Sequence, residues 1–228
     1  MPFTIEEFLA VMEAYNISVW PMQIILNLFA VVALLFLISG RKGKSGIINA
    51  VLIFLWLWMG IVYHLMYFTE INTAAYLFGA LFILQGLIFI YSGFLRLNAL
   101  KYRFYRNFRG FLGMLFLLYA LIIYPILSNE FGHSYPATPT FGLPCPTTIF
   151  TFGILLFSVR KVSWYVILIP FLWSLVGFAA AIQLDMREDY GLVIAGLIGT
   201  ITLLFTKENQ PEEPIIQGDN SATSGFLF

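Results

Sequence analysis

Charge is the scarcest resource in this chain. Only 11% of its 228 residues are Asp, Glu, Lys or Arg, where a soluble domain carries about 25%. The shortage excludes an ordinary water-facing surface. Cysteine occurs once, at Cys145, and histidine twice, at His64 and His133. One cysteine closes no intrachain disulfide. Neither CxxC nor HxxxH spacing occurs, so no standard zinc site is encoded, and neither GxSxG nor HExxH is present to announce a hydrolase. The opening MPFTIEEF has no basic stretch, so no cleavable signal is expected. Basic and acidic residues balance at 12 each, and no nucleic-acid partner is expected.

What fills the chain instead is apolar. Hydrophobic residues reach 60%, aromatics 18% with 24 Phe, and mean hydropathy is +0.87. The bilayer is the implied solvent, and a crossing helix needs about 20 mostly apolar residues. The pattern predicts an all-α polytopic bundle in one domain over 1–206, with crossings near 20–39, 47–68, 73–95, 110–127, 146–159, 164–184 and 190–206. The 146–159 run is the short one, about 21 Å at about 1.5 Å per residue against a hydrocarbon core about 30 Å thick. Charge placement argues that it crosses. With seven crossings, eleven of the 12 basic residues share one face, and only Arg187 lies on the other. The positive-inside rule makes the crowded face cytoplasmic, with the N-terminus outside and the C-terminus inside.

Thr4 and Glu7 have capping-box spacing, with Phe3 and Phe8 placed as a hydrophobic staple. Residues 4–16 therefore read as an amphipathic helix on the outer surface. The polar tail 207–228 reads as disordered in the cytoplasm. FLWLWMG ending at Gly60 and FLWSLVG ending at Gly177 share F-L-W-x-x-x-G, which raises a 3+1+3 parallel repeat, as some transporters have. A chain this rich in Phe, Leu and Trp also produces such matches by chance.

Cys145 lies in HSYPATPTFGLPCPTTIFTFG, between two prolines and directly ahead of the short run. Prolines stiffen that loop and disfavour helix before each of them, whereas Pro146 suits a first helical turn. The loop is expected to dip inward from the outer face, shielded by other helices. Cys145 then admits two readings: a thiol activated at a helix N-terminus, able to act as a nucleophile or soft-metal ligand, or a small packed residue. His64, Glu70, His133, Cys145 and Thr147 are candidates for an outer vestibule, with His64, His133 and Cys145 as candidate metal ligands. Asn27 and Gln85 either line a pathway or bond across helices. No charged residue lies at any crossing's centre, which opposes a mid-membrane proton relay, and no lysine lies inside the last crossing for retinal. The basic stretch 96–109 either binds anionic headgroups or only sets orientation.

The string PTFGLPCPTT, with MPFTIEEFLAVMEAYN near the start, resembles a family of bacterial multi-pass membrane proteins classed as a domain of unknown function. The likeness runs to about Thr206. It implies the bacterial inner membrane and supplies no activity or cofactor. The functional expectation is a permease or channel for a small solute or ion. The alternatives are an enzyme or thiol-redox protein using Cys145, the enzyme reading being the less favoured, and a non-catalytic accessory subunit. Expected partners are the bilayer, the solute and a second copy of the chain.

Overall fold

The computed structural model describes residues 2–39, 41 and 43–206; the expected tail 207–228 lies outside the described residues. Helix α1, Ile5–Ser18, begins where the sequence signals it. Thr4 accepts from the Glu7 amide while the Glu7 side chain accepts from the Thr4 amide, and the Phe3 and Phe8 rings stack at 5.8 Å. Backbone amides of this first turn and the Thr4 hydroxyl hold Glu6 below the usual carboxylate range. At Pro21 the chain turns by 84° into α2, Met22–Ile38. The α1 face carrying Val11, Met12 and Tyr15 is buried; Tyr15 packs edge-on against Tyr63 and Tyr67 and accepts from the Trp58 indole at 2.8 Å.

Helix α3, Lys44–Trp58, continues through wider π turns, Met59–Tyr67, to Glu70. Helix α4, Ala75–Ile90, continues likewise to Leu95. Helix α5, Phe108–Leu118, runs through a π segment, Tyr119–Ile123, into α6, Tyr124–Glu130. That widening has a local cause, because Pro125 has no N–H for the preceding turn and its ring crowds that turn's carbonyl. After the proline-rich loop come α7, Pro144–Leu155, then α8, Trp164–Gln183, and α9, Tyr190–Phe205.

Among the described residues five helices are long and apolar enough to cross a membrane, and the bent α1–α2 pair would make a sixth. The seventh expected crossing is α7. It has 12 residues, about 18 Å of helix, and ends four residues before the sequence pattern suggests. The reason is that 156–159 leave the helix to pair with another segment, described below. Side chains facing out from the bundle are apolar too: Leu28, Val31, Leu35, Phe111, Ile122, Leu172, Ile194 and Ile201 are all exposed. Apolar surface on this scale suits lipid rather than water. Trp20, Tyr76, Tyr91, Trp164 and Tyr190 are exposed at helix ends, as residues of an interfacial aromatic belt would be.

Helix α7 is the exception to that outward pattern. From Phe141 to Ser158 every residue is buried except the half-buried Cys145. Helices α5, α8 and α9 enclose it. The α5 crossing is close because Gly113 and Gly153 face each other; a Cβ on either would lie 3.0 or 3.1 Å from the other's carbonyl oxygen. Gly60 and Gly79 meet in the same way where α3 passes α4. Gly60 and Gly177, which end the two FLW strings, each pack on the helix that follows, but the helices ahead of the strings, α2 and α7, differ in length and burial.

The short α7 is completed at its C-terminal end by the basic loop. The Arg103 amide donates to the Phe157 carbonyl at 2.9 Å and the Val159 amide to Lys101 at 2.8 Å. Asn49 fastens this loop from α3: its amide group donates to the Gly93 and Leu100 carbonyls, and it accepts from the Tyr102 hydroxyl at 2.8 Å. Burial pushes that hydroxyl's pKa well up, so it remains a donor. Arg160 bonds Asn98 and Arg96 bonds Ser163. Residues Arg96, Lys101, Arg103, Arg109 and Arg160 therefore gather at one end of the bundle.

Candidate functional site

The other end is built from α1, the 131–143 loop, the start of α7 and the turn before α9. Loop and helix are tied by Asn16, which is fully buried. Its amide group donates to the Pro136 and Thr138 carbonyls at 2.7 and 2.8 Å, and its oxygen accepts from Thr140. Gln23 donates back to the Asn16 carbonyl. Gly142, at φ +102°, turns the chain inward over Leu26, and its amide donates to the Thr147 hydroxyl.

Two acidic residues in the Arg187–Asp189 turn are carried into this end. Glu188 is fully buried and Asp189 is 5% exposed. Glu188 lies 2.8 Å from His133 Nδ1 and accepts from Ser128 at 3.0 Å, while Ser128 and Thr138 share a 2.8 Å hydroxyl contact. Tyr119 donates to the Glu188 carbonyl. Asp189 accepts from the Tyr124 hydroxyl and lies beside Cys145 and Trp173. The two acids are treated differently. Glu188 has a histidine at hydrogen-bond distance, whereas among the described residues no basic side chain pairs with Asp189.

These residues form a wall between two cavities. One, of about 290 Å³, is lined by Phe3, Phe8, Tyr63, Phe68, Phe78 and Trp173 together with Cys145, Asp189 and small residues of α8. Its walls are almost wholly apolar; among the described residues Asp189 is its one ionisable carboxyl. The second, of about 370 Å³, is lined by Gln23, Asn27, Tyr124, Asn129, His133 and Tyr135 among others. Tyr124 faces the second cavity and donates into the first cavity's acid.

The expected single vestibule therefore divides. Cys145 lines the first cavity, and His133 and Asn27 line the second. Asn27 also donates to the Gln23 carbonyl. His64 lines neither: it is fully buried among rings, with Phe82 at 4.6 Å and Trp173 at 5.2 Å, and neither ring nitrogen has a hydrogen-bond partner. Glu70 is exposed in the turn after the α3 extension. Thr147 is buried and serves the loop through Gly142. Gln85 donates to the Val166 carbonyl at 3.0 Å, joining α4 to α8, and lines neither cavity. Among the described residues no three His, Cys, Asp or Glu side chains lie close enough to hold a metal ion, so His64, His133 and Cys145 form no metal centre.

Sequence reasoning missed Tyr124, Ser128, Glu188 and Asp189 as site residues. The available signal was MREDYGL, where two acids abut an apolar run with no spacer. Side chains so close to a helix start are drawn in with it.

No curated protein and no solved structure matches the chain. Residues 5–212, nearly its whole length, match the family of unknown function DUF6064, and the chain belongs to that family.

Proposed function

We propose that this chain is a multi-pass protein of the bacterial inner membrane, seven crossings with its N-terminus outside, that admits a small solute into an outward vestibule as the binding step of a permease. The observation that carries the reading is the 290 Å³ cavity with a buried carboxylate in its wall. Its size falls near the lower end of small-molecule sites, about 300–1,000 Å³. The gathering of basic residues at the opposite end supports the orientation. Reporter fusions should report Arg41 and Arg160 in the same compartment. Reconstituted protein should accumulate the solute in proteoliposomes, and movement of none under any gradient would remove the permease.

A second reading, a binding subunit that does not transport, draws on the filled centre of the bundle. Trp56, Phe82, Phe150, Phe152 and Phe157 are all buried beyond the cavity, so passage requires rearrangement. Binding retained without uptake would select it. The thiol-enzyme reading has less support: the ionisable group beside Cys145 is Asp189, whose negative charge opposes a thiolate, and His133 is engaged with Glu188.

A further inference from the structure

The first cavity combines two features that rarely meet without a purpose. Six aromatic side chains from four separate segments line it: Phe3 and Phe8 at α1, Tyr63 and Phe68 at the end of α3, Phe78 on α4 and Trp173 on α8. They are packed into fixed groups. Phe68 meets Phe3 edge-on at 5.5 Å and stacks with Tyr63 at 5.6 Å; Phe78 meets Trp173 edge-on at 5.4 Å. Into the same space comes Asp189, 5% exposed.

An acid so buried calls for compensation. Glu188 finds it in His133. Asp189 receives the Tyr124 hydroxyl and the Cys145 thiol, both neutral donors, and stands at the amino end of α9, whose free amides its side chain does not cap. Its neighbour Glu188 offers no positive charge. Aromatic ring faces attract cations, and a desolvated ring does so most strongly. A charge the protein itself leaves out is one a ligand can bring.

Resting on the vestibule reading above, we infer that the cavity is a site for an organic ammonium cation, its alkyl groups against the six rings and its charge opposite the Asp189 carboxylate. Both a free small ammonium solute and the ammonium headgroup of a phospholipid have this chemistry.

The test uses the full chain in detergent micelles, with radiolabelled choline and its uncharged carbon isostere, 3,3-dimethylbutan-1-ol, measured by equilibrium dialysis and competition. Choline is expected to bind saturably and at least about ten-fold more tightly than the isostere, since charge alone separates them. Asp189→Asn should remove that preference and leave the isostere's affinity unchanged. Trp173→Leu, which leaves Asp189 and Tyr124 in place, should weaken choline about five-fold even if the first variant does not fold. Nanodiscs of phosphatidylglycerol, with or without phosphatidylethanolamine, separate the sources: loss of choline binding only in the mixed lipid identifies a headgroup as the occupant, and its retention in both identifies a free solute. Equal affinity for choline and isostere, or an Asp189→Asn chain that binds choline normally, overturns the ammonium assignment while the cavity stands as a solute site. If neither compound binds in micelles or in phosphatidylglycerol, the vestibule reading falls as well.

Discussion

The two ends of α7 face the same difficulty and resolve it differently. A helix of 12 residues leaves room at both ends of the bundle, and loops fold in to occupy it. At the basic end the space is filled. Leu100, Tyr102 and Phe157 are buried there, and the 101–103 and 157–159 segments exchange backbone hydrogen bonds. At the opposite end the loop is fastened as firmly, through Asn16, but two cavities of about 290 and 370 Å³ remain beside buried acids. Equal tethering with unequal filling separates a structural end from one equipped to hold something. Loops are where function is most often placed, yet only one of these two has the room.

That contrast can be broken by substitution, beginning with the hollow end. His133→Ala leaves Glu188 buried without its partner, and should lower stability by about 4 kcal/mol, the range found when one member of a buried pair is removed. Thermal unfolding in detergent measures it, and adding Glu188→Gln should recover part of the loss. Asn49→Ala at the filled end removes three buried hydrogen bonds and strands their partners, at a cost of about 3 kcal/mol. It should leave choline binding unchanged; a change there would show that the ends are coupled. Asn16→Ala releases the 136–140 loop and should cost about 2 kcal/mol, with faster proteolysis confined to that loop. Tyr102→Phe deletes a single hydroxyl contact to Asn49 and should cost about 1 kcal/mol. Should the two hollow-end variants prove less damaging than Tyr102→Phe, the claim of equal tethering is wrong.

The periodicity of apolar residues is strong enough to reveal the long helices, because a crossing must be apolar along its whole length. The start of α1 was equally readable, since Thr4, Glu7, Phe3 and Phe8 act within a few residues of one another. Pro146 marked a first helical turn in the sequence, though the helix begins two residues earlier, at Pro144. What could not be read were the partners. His133 and Glu188 lie 55 positions apart, and Asn49 and Tyr102 53 apart; nothing in either neighbourhood names the other. His64 shows the same limit in reverse. Its position near a helix end suggested a vestibule, but the π turns of Met59–Tyr67 accompany a ring buried among Phe82, Phe78 and Trp173, and helical spacing alone cannot foretell that.

The enclosure of α7 also bears on how the protein is made. A segment of this length, buried along almost its whole course, gains nothing from partitioning into the bilayer by itself, and the chain flanking it is held by hydrogen bonds between 157–159 and 101–103 and from Gly142 to Thr147. It can settle only once α8 and α9 have emerged from the ribosome to close around it. A nascent chain halted just after Val162 should therefore leave that segment uncovered and open to chaperones and proteases.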